Sequence, residues 1–316
     1  ETGQGAYLFD CGSTSRKNIG EYVLKPYLKS RGISSLRGVF VSHPDEDHMN
    51  GVLELMENGE EWGITAEQLF LPAIRESERR ETFEQLLAAE DAGIPVSYIK
   101  CGDEIRDSQL RLLCLHPEEN TTLADANAYS ECFYVEVFAK KMKQEAIDDR
   151  KANDASGASA IGKISILLTG DVEGEGERQL TQKLQALQES QSLQESRSLQ
   201  ESRSLQESRS LQESQSLQLT RRLQEQRGQR KFRVDILKVA HHGSGYSTGT
   251  EFLTTASPAT AIISCGRNNS YGHPHAETLQ RLEDARVPWY GTMDYGALTV
   301  NVDSHGNRLR GYLRRK

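Results

Sequence analysis

The feature that most constrains this chain is the stretch 39–51, VFVSHPDEDHMNG. An apolar β-branched run, Val39 to Val41, gives way within two residues to His43, Asp45, Glu46, Asp47 and His48. A buried strand that ends in three acids and two imidazoles needs a compensating positive charge, because crowded carboxylates resist ionising together. No Lys or Arg occurs between Arg37 and Arg75. A metal ion meets the need: neutral imidazole and carboxylate form a common mixed ligand set for divalent transition ions.

The rest of the chain offers matching ligands at similar places. SILLTGD ends an apolar strand at Asp171, and DILKVAHHGS ends another at His241 and His242. LRLLCLHP ends a third at His116, and YGHPH supplies His273 and His275. Seven of the eight histidines lie in or beside such segments, with only His305 apart in a turn. Chemistry carried on loops at the ends of a rigid sheet is the expected arrangement.

Short apolar runs at Tyr7–Asp10, Gly38–Val41, Val96–Ile99, Leu110–Leu115, Phe133–Phe138, Ile164–Leu168, Asp235–Val239 and Ala259–Ser264 predict strands. Helical patterns fall at Ile19–Lys29, Met49–Glu57, Glu76–Ala92 and His275–Ala285, with Ala66–Phe70 expected to support a helix after the acidic loop. Leu298–Val302 and Leu309–Leu313 predict a terminal hairpin. Many short strands with helices among them predict a layered α/β or α+β sandwich.

One segment stands outside this pattern. Between residues 187 and 217 a six-residue unit, LQESRS with small variations, recurs with leucines at 187, 193, 199, 205, 211 and 217. On a helix a step of six turns about 240°, so these leucines scatter over three faces and make neither an apolar stripe nor a heptad seam. The reading is a low-complexity insertion, extended by its polar flanks to residues 172–231, within one domain spanning 1–316.

The net charge is −8 and the pI about 5.6, so general electrostatic attraction to nucleic acid is not expected, although a nucleic-acid substrate held at a metal site remains compatible. No apolar run approaches the roughly 18–20 residues of a membrane span. Cys11, Cys101, Cys114, Cys132 and Cys265 are scattered and without CxxC spacing, as core residues rather than a disulfide frame.

The segment SHPDEDHMNG resembles the first signature of the metallo-β-lactamase fold, His-x-His-x-Asp-His, with Asp45 where the second His is usual. That departure, together with LHP, LLTGD, LKVAHHGS, GHP and the opening YLFDCGSTS, resembles the C-terminal domain of the ComEC family of DNA-uptake proteins. The resemblance implies an αββα sandwich whose first strand is expected to be missing ahead of residue 1. The GQG at Gly3–Gly5 then belongs to a turn before the second strand, and Asn127 and Ser130 match a further family segment in a structural or a functional role.

The resemblance also implies one or two divalent ions, Zn²⁺ or Mn²⁺. His43 and Asp45 would hold one, with His116 as a third ligand; Asp47 and His48 would hold the other, with His241 completing it; Asp171 would bridge both. Asp47, His242 and His273 are the catalytic expectations. Neighbouring residues on a strand point to opposite faces, so His241 is expected as ligand and His242 as its catalytic neighbour, while Lys238 points to solvent. The function implied is metal-dependent hydrolysis of a phosphodiester in DNA, single-stranded, during uptake. The alternatives are hydrolysis of a small substrate such as a lactone, thioester or cyclic nucleotide, or a non-catalytic metal-bound module of a transport apparatus. A membrane channel domain of the same longer chain is the expected partner, which places the protein at the cell envelope; cytoplasmic or extracellular location is the alternative.

Overall fold

The computed structural model describes residues 1–91, 93–122, 125–139, 163–207, 234–303 and 306–313. Two sheets lie face to face. The first is parallel: β1 (Ala6–Phe9) pairs with β2 (Ser35–Phe40), then come β4 (Leu69–Pro72) and β5 (Val96–Ile99), with β3 (Thr65–Ala66) alongside β2. Its crossovers carry α1 (Lys25–Ser30), α2 (Glu46–Trp62), α3 (Glu76–Thr82) and α4 (Glu84–Asp91).

The second sheet has seven strands in the order β12-β11-β10-β9-β8-β7-β6. The half made of β6 (Glu104–Arg106), β7 (Leu110–His116), β8 (Cys132–Phe138) and β9 (Lys163–Leu168) is antiparallel. The half from β9 through β10 (Ile236–Lys238) and β11 (Thr260–Ile263) to β12 (Trp289–Gly291) is parallel. Its crossovers include α5 (Gly174–Glu207), α6 (Thr250–Ala256) and α7 (Ala276–Asp284). β13 (Leu298–Asp303) and β14 (Gly306–Gly311) form the expected terminal hairpin.

Three apolar clusters define the layers. Between the sheets, Phe40 and Phe133 meet with ring centroids 5.1 Å apart, joined by Phe9, Phe70, Leu112 and Val135. Outside the first sheet, Val39, Val52, Leu55, Leu71 and Leu86 pack helices onto it. Outside the second, Leu180, Leu184, Phe252, Leu253 and Leu282 do the same. The result is the αββα sandwich implied by the resemblance.

Several local expectations are corrected. Ala66–Phe70 forms strand, not helical support, because β3 and β4 extend the parallel ladder beside β2. The helical span 76–92 is two helices that break at Phe83 (φ −114°, ψ 21°), whose ring is buried. The sequence boundary of the insertion is also too early. Val172, Leu180 and Leu184 are fully buried, and Gln188 Nε2 donates to the Thr255 carbonyl at 2.6 Å. The step of four from Leu180 to Leu184 keeps both on one helix face, which the step of six in the following repeat does not. The first turns of α5 therefore belong to the domain core. The arginine-rich stretch 221–233 and His305 lie outside the described residues.

Candidate metal centre

Parallel strands place their carboxyl ends on one edge, where ligand-binding crevices of such sheets form. Asp10 follows β1, His43 follows β2, Asp171 follows β9, and His241 and His242 follow β10. α2 starts at Glu46, three residues after His43, so Asp47 and His48 sit in its first turn, where the helix dipole favours the acid. The loop after β1 is stitched to this turn: Cys11 N donates to the His48 carbonyl at 2.8 Å. Gly12 allows that approach, since a Cβ there would lie 2.5 Å from the Asp47 backbone.

His48 is the hub, and it is buried. Its Nδ1 donates to Asp10 Oδ2 at 2.9 Å, leaving Nε2 to face Asp171 Oδ2 at 3.1 Å and His242 Nε2 at 3.3 Å. Burial pulls its pKa down, but the carboxylates of Asp171 and Asp10 outweigh that and push it up to about 10. Asp10 itself accepts from Ser42 N at 2.7 Å and from Ser42 Oγ at 2.8 Å.

His43 is fully buried, with Nδ1 within 3.0 Å of Ser42 Oγ and 3.3 Å of Ser130 Oγ. Its Nε2 has no hydrogen-bond partner among the described residues, the nearest acid being Asp45 Oδ2 at 3.5 Å. Asp45 occupies the cap position of α2 without capping it, and reaches toward His43 instead.

Asp171 joins the two sides. Its turn needs Gly170 at φ 48°, packed so closely that a Cβ would lie 2.9 Å from those of Ser42 and Ser130. Burial alone would raise the Asp171 carboxyl, but His48 and Lys238 hold it well below the usual range. Lys238 does not point to solvent as strand alternation predicted. Its Nζ donates to the Gly170 carbonyl at 2.8 Å and lies 3.5 Å from Asp171 Oδ1.

The two adjacent histidines are placed opposite to expectation. His242 Nε2 lies 3.4 Å from Asp171 Oδ2 and 3.5 Å from Asp47 Oδ2, and its Nδ1 donates to the Ser264 carbonyl at 2.5 Å. Hydrogen bonding from His242 lowers the Asp47 pKa. His241 turns away: its Nδ1 donates to Glu173 Oε2 at 2.9 Å, and its Nε2 lies 3.9 Å from Asp171. Alternation fails because both residues take left-handed backbone (φ 45° and 53°) in a tight turn, so neither follows a strand pleat.

Two groups of ligand atoms result, each with all members within 4.8 Å of one another: His43, His48 and Asp171, and Asp47, His48 and His242. His116 is not brought into either. It is buried beneath the 127–129 turn, donates Nε2–H to the Ala128 carbonyl at 2.7 Å, and is lowered to about 4 by burial. His273 lies beside the cluster, its ring 5.5 Å from that of His241 and 6.2 Å from that of His242. Sequence reasoning missed Asp10 and Glu173; Asp10 ends a strand run as His43 does, which was the available signal.

The donor set fits a divalent transition ion. The partnerless buried Nε2 of His43 is an orphan that an ion would satisfy. The imidazoles of His48 and His242 have Nδ1 committed outward to a carboxylate and a carbonyl, which leaves Nε2 as the inward donor. Mixed nitrogen and oxygen donors suit Zn²⁺ and Mn²⁺ alike.

A family model described as the metallo-β-lactamase superfamily matches residues 1–96, the segment from β1 through the His43–His48 loop to β5. The motif resemblance to that fold holds. ComE operon protein 3 of Bacillus subtilis is 27% identical over 88% of this chain and 27% of its own length. Recombination protein 2 of Haemophilus influenzae is 24% identical over 93% of this chain and 26% of its own length. The chain thus spans about a quarter of these curated relatives. Among solved structures, a B3 metallo-β-lactamase with an active-site glutamic acid covers 90% of this chain and 83% of its own, at 12% identity and a TM-score of 0.35. Among the described residues, no helix is long and apolar enough to cross a membrane.

Proposed function

We propose that this chain is a metal-dependent phosphodiesterase that cuts DNA during competence-related uptake, as a domain of a longer envelope protein. The observation that carries this reading is the pair of ligand groups sharing His48, with Asp171 in contact with both His48 and His242. In such a site His43, Asp45, Asp47, His48, Asp171 and His242 would hold one or two ions, Zn²⁺ or Mn²⁺. Bound ions of this kind lower the pKa of water and offset charge on phosphoryl oxygens.

The chain's own residues do the rest. Asp10 keeps the hydrogen of His48 on Nδ1, and the Ser264 carbonyl does the same for His242. Glu173 holds His241 at the rim, within reach of Asp171 but outside the two groups. Lys238 offsets the Asp171 carboxylate from behind. His273, which burial and the neighbouring histidines lower to about 4, is neutral near pH 7 and would donate a ring N–H to a phosphate oxygen.

The test is cleavage of single-stranded DNA by the Mn²⁺- or Zn²⁺-loaded chain, with Asp47→Ala as control. Cleavage that Asp47→Ala abolishes supports the reading. A loaded wild type that cuts no DNA overturns it and moves a small-substrate hydrolase ahead.

A further inference from the structure

A cleft of about 610 Å³ opens beside the cluster, with Asp47 and His242 in its wall. That is within the range of about 300–1,000 Å³ of small-ligand sites. Its other walls are the loop after β1 and the loop after β11. Each loop contributes an exposed arginine, Arg16 and Arg267, and neither is in an ion pair among the described residues. Two such cations on one cleft contrast with the net charge of −8 for the whole chain. Arg267 is already oriented, donating Nε and Nη2 to the Met293 carbonyl at 3.1 and 3.0 Å.

A run of rings leads out of the cluster along this cleft. His242 and His273 are nearly parallel (20°, centroids 6.2 Å apart), and His273 and Tyr271 are nearly parallel again (21°, 5.8 Å). Tyr271 remains 58% exposed. The loop that carries it is braced: Asn269 accepts from His273 N at 2.9 Å and donates to the His273 carbonyl at 2.7 Å. An exposed aromatic on a braced loop, lining the same cleft as two arginines that make no ion pair among the described residues, has the parts of a single-strand subsite: a stacking platform and phosphate contacts.

Resting on the phosphodiesterase reading, we infer that this cleft holds the nucleotide next to the scissile phosphate of an unpaired strand. Tyr271 stacks its base, and Arg16 and Arg267 take flanking phosphates. A base in a duplex is stacked on both faces and cannot lie on Tyr271, so the subsite selects single strands.

The experiment measures fluorescence anisotropy of a labelled thymidylate hexamer, and of the base-free phosphodiester hexamer, on the full chain in EDTA. The wild type should prefer the thymidylate. Tyr271→Ala should weaken thymidylate binding by about 5- to 150-fold while leaving base-free binding as it was, and Tyr271→Phe should restore the preference. Arg16→Ala and Arg267→Ala should weaken both ligands, each lowering the salt slope by about 0.7. Thymidylate binding by Tyr271→Ala equal to wild type, or a duplex competing as well as the single strand, overturns the subsite. Cleavage by the Mn²⁺-loaded chain is scored separately. Binding with this pattern but no cleavage removes the hydrolase reading and keeps the subsite; cleavage without the pattern does the reverse.

Discussion

The strongest test of the metal centre leaves every proposed ligand in place. Asp10→Asn changes one oxygen to an amide nitrogen behind His48. Asp10 Oδ1 accepts the Ser42 backbone N–H at 2.7 Å, so an asparagine keeps its carbonyl there and turns its NH₂ toward His48. The amide donates where the carboxylate accepted at 2.9 Å, so His48 Nδ1 must accept and the ring hydrogen moves to Nε2. Nε2 is the atom common to both ligand groups, and with a hydrogen on it no lone pair remains for an ion. Loss of such a supporting carboxylate typically costs 10- to 100-fold in metal affinity, or about 1.4–2.8 kcal/mol. The assay is Zn²⁺ titration against a chromogenic chelator, with unfolding in EDTA measured alongside. Asp10→Ala serves as contrast, since it also strands the buried Ser42 N–H and adds a stability cost of about 1–3 kcal/mol. If Asp10→Asn binds Zn²⁺ as tightly as the wild type, the carboxylate does not set the tautomer and the argument fails.

His242→Ala should lose Zn²⁺ affinity more than His241→Ala, checked by the same titration; the opposite order would restore the assignment that strand alternation predicted. Leu184→Ala should cost about 2–5 kcal/mol in denaturant unfolding, because Leu184 is fully buried, whereas removing four whole repeats, residues 193–216, should shift the melting temperature by less than about 2–4 °C. Glu131 is buried without a hydrogen-bond partner among the described residues, and burial, helped by Asp10, raises its carboxyl well above the usual 4.5. Its stability contribution is therefore complete below pH 4.5 and lost, at about 1.4 kcal/mol per pH unit, as pH rises toward its folded value. Glu131→Gln should remove that loss, so denaturant unfolding of the two proteins should diverge from pH 5 upward; parallel curves would refute it.

Most strands and the ligand-bearing edge were legible because a strand that ends in polar chemistry leaves a local mark: VFVSH, ILLTGD and LKVAHH each carry it. What was not legible depends on backbone that breaks the local period. The left-handed pair at 241–242 inverts the placement of two histidines that alternation had ordered, bringing His242 rather than His241 into a ligand group. Lys238, which alternation sends to solvent, instead meets the Gly170 carbonyl, in a turn where that glycine takes left-handed backbone. His116 looked like a ligand because it ends a strand, but its partner is the backbone of a turn twelve residues on. The start of the insertion was misplaced for a related reason. Glutamine dominates around Leu180 and Leu184, and composition hid a step of four that geometry uses.

The question raised by the acidic loop has a physical answer in the cluster itself. Asp171 is almost fully buried, and its carboxylate faces His48 on one side and Lys238 on the other. Those two cations offset the acid when no ion is bound, which lets Asp10, Asp47 and Asp171 converge in one fold. Such an arrangement is a poor device for stability. Desolvating buried ionic groups costs several kcal/mol each, and well-packed apolar residues of similar volume often do as well or better. The same sandwich already has apolar material for that purpose, since Phe9, Phe40 and Phe133 fill the space between the sheets a few residues below. Where the chain departs from this packing, it does so on several strand ends at once and with donors aimed at one point. Groups collected in that way, with perturbed protonation and beside an open cleft, are the pattern of a functional site rather than of packing that holds the fold.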